Sequence, residues 1–128
     1  MIVLDQNIPT EERKKLDEWG IRTRKIGVDI GWAWMSDEGH IIPLLHSLRQ
    51  PTFFTLDLGF YRRKFCHPNY CIVVLDISES QVAEFVRRFM RHKDFNTKAK
   101  RMGRVVKITT DGIYWWEISA TSEKKLRW

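Results

Sequence analysis

Three observations predict an α/β fold for this chain of 128 residues. Short, nearly continuous apolar runs, which are typical of strands buried on both faces, occur as MIVLD at 1–5, TFFTLD at 52–57 and CIVVLD at 71–76. Helical patterns separate these runs, and the alternation indicates a mainly parallel central sheet flanked by helices. Since 43% of the residues are hydrophobic, the chain can form one core, and we predict a single domain over residues 1–128.

The segment after the first predicted strand has the end signals of a helix. Pro9 suits a first helical turn, and Gly20 suits the position just beyond a helix C-terminus. We therefore predict a helix over about 9–19. The next segment, IRTRKI at 21–26, is predicted to be a second and more exposed strand.

Two further helices are predicted from capping residues and apolar stripes. Ser36 is a candidate N-cap for the first of them, and Pro43 inside its apolar stripe predicts a kink or a restart. Ser78 and Gln81 form an S-x-x-Q capping box. This box opens the second helix, which we expect to run to about His92.

The C-terminal part of the chain has the pattern of a β-hairpin. The segment RVVKITTDGIYWWEIS contains two β-prone runs around an Asp111-Gly112 turn. We expect an antiparallel annex over about 104–118, beside the parallel sheet. Trp115 and Trp116 are neighbours in one strand and point to opposite faces, so one is expected in the core and the other at the surface.

The charge balance favours a polyanionic partner. The 22 Lys and Arg residues outnumber the 16 Asp and Glu residues, which gives a net charge of +6. Basic residues gather in the loop at 62–64, between Tyr61 and Phe65, and in a run over 87–104. Both groups could bind phosphates. The residues that we expect to bind a nucleic acid are Arg62, Arg63, Lys64, Arg88 and Arg91. The alternative for both groups is an ordinary solvated surface.

The cysteine content and the hydropathy pattern bear on the compartment. Cys66 and Cys71 are too few for a disulfide scaffold and fit a reducing cytoplasm. We expect a cytoplasmic protein without a membrane partner, since the longest apolar runs fall short of the ~20 residues that span a bilayer. Together with His67, the two cysteines form no familiar zinc-ligand spacing.

Three predicted buried strands end in an aspartate. The carboxyl ends of parallel strands meet at one edge of a sheet, so we expect Asp5 and Asp57 at the same edge, with Asp76 as a further candidate. A single aspartate there is ordinary turn chemistry. A cluster either raises pKa values or binds a cation, and oxygen ligands suit Mg²⁺ or Mn²⁺. A basic surface around an acidic metal centre is the arrangement of a nuclease.

Four segments together carry a resemblance to a known family. They are VLDQNIP at 3–9, VDIGWAWMSDEGHII at 28–42, TFFTLDLGFY at 52–61 and HPNYCIVVLDIS at 67–78. In their order and spacing they resemble the PIN-like proteins, and among these the small branch often found in VapC-type toxin–antitoxin pairs. The resemblance extends over about the first 92 residues. It implies a PIN-like fold and a Mg²⁺- or Mn²⁺-dependent ribonuclease.

The resemblance also implies the residues of the site. By position, Asp5, Asp37 and Asp57 would be the catalytic residues and metal ligands. Asn7 would support the first of them, and Glu38 is the alternative to Asp37. No site of the family corresponds to Asp76, which we interpret as a turn or cap residue.

The chain departs from the family pattern at two positions. Gln6 stands where relatives often have glutamate, and Gly59 stands where they often have a second aspartate. Each carboxylate supplies charge as well as an oxygen, so the loss of one weakens the binding of a divalent cation.

Two hypotheses of function follow, and a third has less support. The first is a metal-dependent endoribonuclease, for example the toxin of a toxin–antitoxin pair that an acidic antitoxin restrains. The second is a catalytically degenerate PIN-like module that binds RNA or a protein partner, with a homodimer as a further candidate assembly. The third is a phosphorylated receiver domain built on Asp57, Ser78 and Lys107, but the chain lacks paired acids after the first strand.

Overall fold

A computed structural model describes residues 1–35 and 37–128, and of Asp37 it describes the backbone alone. The strands in these ranges are β1 (Ile2–Leu4), β2 (Arg24–Lys25), β3 (Thr52–Thr55), β4 (Cys71–Leu75), β5 (Arg104–Ile108), β6 (Gly112–Glu117) and β7 (Lys124–Arg127). The α-helices are α1 (Thr10–Glu18), α2 (Asp37–Ser47), α3 (Val82–Arg91) and α4 (Lys98–Arg101). Short 3-10 helices cover Leu58–Phe60, Arg63–Phe65 and Glu79–Gln81.

All of these strands belong to one mixed sheet with the order β2-β1-β3-β4-β5-β6-β7. The pairings from β2 to β5 are parallel, and those of β6 and β7 are antiparallel. The expectation of a mainly parallel sheet with a separate annex over 104–118 is therefore wrong. The reason lies in β5, where Val105 and Val106 are both fully buried and point to opposite faces. A strand buried on both faces belongs inside a sheet rather than beside it.

The sheet separates two apolar layers. Phe53 and Phe54 are neighbours in β3 and lie in different layers, as the alternation of side chains along a strand requires. Helices α1 and α3 contribute Leu16 and Phe89 to one layer. Helix α2 contributes Leu45 to the other. No helix within the described ranges is long and apolar enough to cross a membrane.

The first two helices lie close to their predicted positions. Helix α1 starts directly after Pro9, and Gly20 follows its end with a φ of +77°, which glycine adopts without strain. Helix α2 continues through Pro43, so the predicted restart does not occur. The expected N-cap Ser36 lies outside the described residues.

The start of α3 differs from the prediction. The side chain of Ser78 accepts no cap hydrogen bond from any residue that the structure describes, so the predicted capping box is wrong. Instead, Glu12 Oε1 accepts a hydrogen bond of 3.0 Å from the Ala83 N–H, and Lys15 Nζ lies 2.8 Å from Glu12 Oε2. The buried Glu12 thus caps α3 from α1. A carboxylate near a helix N-terminus also interacts favourably with the helix dipole.

Candidate functional site

The ends of β1 and β3 bring two of the predicted acids together. These strands are adjacent and parallel, and the Asp5 N–H donates to the Phe54 carbonyl at 2.9 Å. The Thr55 hydroxyl donates to Asp5 Oδ2 at 2.7 Å, and Thr55 Oγ1 accepts from the Asp57 N–H at 3.0 Å. One hydroxyl therefore connects the two residues that sequence reasoning placed at this edge.

Asp5 has a buried carboxyl whose loss of hydration is partly offset by hydrogen bonds. Asp5 is only 6% exposed, and this burial raises the pKa of its carboxyl above the ordinary value. Hydrogen bonds from the Thr55 hydroxyl and the Gln6 N–H oppose the shift, whereas the negative charge of Asp57 adds to it. A buried carboxyl next to a second acid favours either a proton or a cation.

Asn7 holds the loop that leaves β3. Its Oδ1 accepts a hydrogen bond from the Leu56 N–H at 3.3 Å, and its Nδ2 lies 3.4 Å from Thr55 Oγ1. Asn7 therefore positions the chain where it leaves β3. Its amide oxygen keeps a second lone pair.

Asp57 begins the 3-10 helix Leu58–Phe60 as its N-cap. Asp57 Oδ1 accepts a hydrogen bond of 2.8 Å from the Gly59 N–H, while no described residue donates to Oδ2. A Cβ atom on Gly59 would lie only 3.0 Å from Asp57 Oδ1. A side chain at this position would therefore require the Asp57 carboxylate to shift by a few tenths of an ångström.

Asp57 faces a cleft of about 400 Å³. Glu38, near the start of α2, lines the same cleft, and so does Arg62. Lys64 Nζ lies 3.9 Å from Glu38 Oε2 in an exposed ion pair. The side chain of Asp37, the first choice for the helix-borne acid, lies outside the described residues.

The donor set at this edge consists of oxygen atoms. Asp5 and Asp57 have carboxylates at the ends of neighbouring strands, and Glu38 lines the same cleft as Asp57. Such hard ligands suit Mg²⁺ or Mn²⁺, which keep several waters when few protein ligands bind them. Within the described side chains, which exclude that of Asp37, no three His, Cys, Asp or Glu residues are grouped closely enough to hold a metal ion.

Gln6 fastens the loop that precedes α2. Its Oε1 accepts a hydrogen bond from the Trp34 N–H at 3.0 Å, and its Nε2 donates to the Met35 carbonyl. A glutamate could make the first contact but could not donate to the second. A glutamine at this position therefore has a structural role.

The loop that Gln6 holds presents two tryptophans to solvent. Trp32 is 57% exposed and Trp34 is 87% exposed. Trp34 also has a positive φ of +70°. Exposed rings such as these can stack on bases.

The basic residues predicted to bind RNA do not form one surface. Arg62 lines the cleft and Arg63 lies over the Trp116 ring, both on the α2 side of the sheet. Arg88 belongs to α3, which packs on the other side, and its guanidinium lies 4.3 Å from the Trp128 ring centroid. Arg91 lines a separate cavity beside Arg88.

Sequence reasoning missed Thr55, although a signal for it exists. Thr55 precedes Asp57 by two residues in an extended segment, and this spacing places both side chains on one face. Asp76 directly follows β4, is exposed and does not line the cleft. Comparison of the chain with protein-family models, curated protein sequences and solved structures gave no match.

Proposed function

We propose that this protein is a PIN-like, metal-dependent endoribonuclease of the cytoplasm. The observation that carries the proposal is the Asp5–Thr55–Asp57 chain of hydrogen bonds beside a cleft that also contains Glu38. A Mg²⁺ or Mn²⁺ ion held there would activate a water molecule and offset the charge that develops on a phosphoryl group. The net charge of +6 supports a polyanionic substrate.

The residues around the cleft have separate roles in this proposal. Asp57 lines the cleft and uses Oδ1 to accept from the Gly59 N–H, while the Thr55 hydroxyl fixes Asp5 at the end of the neighbouring strand. Arg62 is placed to bind a phosphate of the substrate at the cleft. In a toxin–antitoxin pair, an acidic antitoxin would inhibit the enzyme by covering the cleft and its basic border.

A cleavage assay with matched variants tests the proposal. Labelled single-stranded RNA is incubated with Mn²⁺ and the wild-type protein, Asp57→Asn or Asp76→Asn. The two variants remove one negative charge from the ends of neighbouring strands, and Asp57 alone of the two lines the cleft. Because a catalytic metal supplies several kcal/mol, Asp57→Asn should slow cleavage at least ~100-fold. Asp76→Asn should cleave like the wild type, and EDTA should stop cleavage by both of these proteins.

The second candidate is a degenerate PIN-like module that binds RNA or a protein, including a second copy of itself, without cleavage. One observation favours it: Asp5 already accepts two hydrogen bonds and Asp57 Oδ1 accepts another, while Gly59 offers no further ligand. This module would bind RNA equally well with Mn²⁺ or EDTA, and Asp57→Asn would leave that binding unchanged. No RNA would be cut under either condition.

A further inference from the structure

One face of the last three strands combines basic and aromatic side chains. The strand register places Lys107 opposite Tyr114, and Tyr114 opposite Lys125. These three side chains form a row across β5, β6 and β7, which we call the Lys–Tyr–Lys face. Arg127 lies two residues further along β7 and points to the same side. The other side of these strands carries Ile113 and packs into the core.

The cations on the Lys–Tyr–Lys face are not held in ion pairs by the carboxylates that the structure describes. Within the part of the chain that the structure describes, Lys107, Lys125 and Arg127 make no ion pair with a carboxylate. On the opposite side of β7, Lys124 Nζ lies 3.1 Å from Glu117 Oε2. The positive charge is therefore compensated on one side of the strand and available on the other.

Aromatic rings lie between these cations. Lys107 Nζ is 4.9 Å from the ring centroid of Tyr61 and 5.0 Å from that of Tyr114. The Tyr61 hydroxyl donates to the carboxylate of Glu123, which also reaches this side of the sheet. The arrangement of ring faces next to fixed positive charges is what stacking of bases and binding of phosphates require.

A cavity of about 860 Å³ continues from the Lys–Tyr–Lys face. Tyr114, Lys125 and Arg127 line it, together with the turn at 110–112 and Trp128. At its other end the face reaches Tyr61, which is followed directly by Arg62 in the cleft of the candidate site. A ligand on the face could thus extend towards Asp57.

We propose that the Lys–Tyr–Lys face binds single-stranded RNA, with phosphates at Lys107, Lys125 and Arg127 and a base stacked on Tyr114. The choice of RNA as the ligand rests on the proposed function. The strand must be single, because only unpaired bases offer their ring faces to a side chain. In a cleavage reaction this face holds the part of the substrate that lies outside the cleft.

The test is an anisotropy titration of a fluorescent, U-rich 12-nucleotide RNA with the full chain carrying Asp57→Asn. In this background Lys125→Gln is compared with Lys124→Gln, which removes the same charge from the next residue of β7 on the opposite side. Lys125→Gln should weaken binding roughly three- to ten-fold and reduce the slope of log affinity against log salt by ~0.7. Lys124→Gln should change the affinity by less than about two-fold and should leave the slope against salt nearly unchanged.

A second variant tests the stacking contact. Tyr114→Leu keeps an apolar side chain in β6 but removes the ring, and it should weaken binding of the 12-mer at least ~5-fold. Circular dichroism and thermal unfolding verify that the variant folds. Binding of the matching RNA duplex should be weaker than that of the single strand in every protein.

Several results would overturn the proposal. Equal losses for Lys124→Gln and Lys125→Gln would mean that only the net charge matters. Tighter binding of the duplex than of the single strand would mean that the face serves a different partner. The same conclusion would follow if polyglutamate displaced the RNA and Tyr114→Leu did not change RNA binding. If the wild type cleaves RNA but these variants bind normally, this inference fails and the proposed function stands. If the face binds RNA as described but the wild type never cleaves, the proposed function fails and the inference about the face stands.

Discussion

The hydroxyl of Thr55 donates a hydrogen bond of 2.7 Å to Asp5 Oδ2 and accepts one of 3.0 Å from the Asp57 N–H. Thr55 is itself fully buried at the end of β3. A single side chain thus sets both the orientation of a buried carboxyl and the path of the chain into the cleft. This contact should affect stability and activity together.

Thr55→Val tests the contact with little change in volume. The substitution leaves Asp5 Oδ2 and the Asp57 N–H without their partner, so it should lower the free energy of unfolding by about 1–3 kcal/mol. Urea denaturation measures this change. Thr110→Val, at an exposed position in the turn before β6, should cost less than ~0.5 kcal/mol. Equal costs for both variants would contradict the importance of the Thr55 contact.

The raised pKa of Asp5 predicts a particular pH dependence. A carboxyl whose pKa is higher in the folded than in the unfolded chain stabilises the fold when protonated. That contribution is complete below the unfolded value of 3.8 and is lost as the pH rises through the folded value.

Asp5→Asn removes this titration. The free energy of unfolding of the wild type should therefore fall relative to that of Asp5→Asn as the pH increases from about 3.5 to 7. Denaturation of both proteins across this pH range measures the difference. A difference that is constant with pH, or that grows in favour of the wild type, would contradict the raised pKa of Asp5.

Gln6→Glu tests whether the Gln6 side chain holds the loop before α2. The glutamate cannot donate to the Met35 carbonyl, so the loop that carries Trp34 should loosen. We expect a loss of about 1–3 kcal/mol in unfolding free energy and faster hydrogen exchange of the Trp34 amide. Gln50→Glu makes the same chemical change at an exposed site and serves as the control. Unchanged exchange in Gln6→Glu would show that the side chain does not hold the loop.

Glu12→Ala tests the cap of α3. The substitution leaves the Ala83 N–H without its acceptor in a buried environment, and it should lower the free energy of unfolding by about 1–3 kcal/mol. Glu11→Ala is the matched control, because the neighbouring glutamate is exposed in the same turn of α1. Thermal or urea unfolding of the two variants gives the comparison. A loss no larger than that of Glu11→Ala would exclude a capping role.

The parts of the fold that sequence reasoning predicted well depend on short-range patterns. Strands β3 and β4 are continuous apolar runs, and α1 ends at a glycine whose positive φ is a local requirement. Strand β7 has the sequence KKLR, whose side chains are all exposed, and only its pairing with β6 makes it a strand. No periodicity of its own could have indicated this.

The same distinction applies to the candidate site. The convergence of Asp5 and Asp57 follows from the general geometry of parallel strands, and the structure places both residues as that geometry predicts. The cap that Glu12 provides for α3 joins residues 71 positions apart in the chain, and such contacts are decided by how the elements pack. The split of the basic residues between two sides of the sheet has the same cause.

The central claim is that the edge formed by Asp5 and Asp57 holds a divalent cation, and Mn²⁺ titration calorimetry tests it most directly. The wild type and Asp76→Asn should give the same binding isotherm, and Asp57→Asn should give heats no larger than those of dilution. Absence of binding by the wild type, or identical isotherms for the wild type and Asp57→Asn, would contradict the claim and leave the RNA-binding module as the better account.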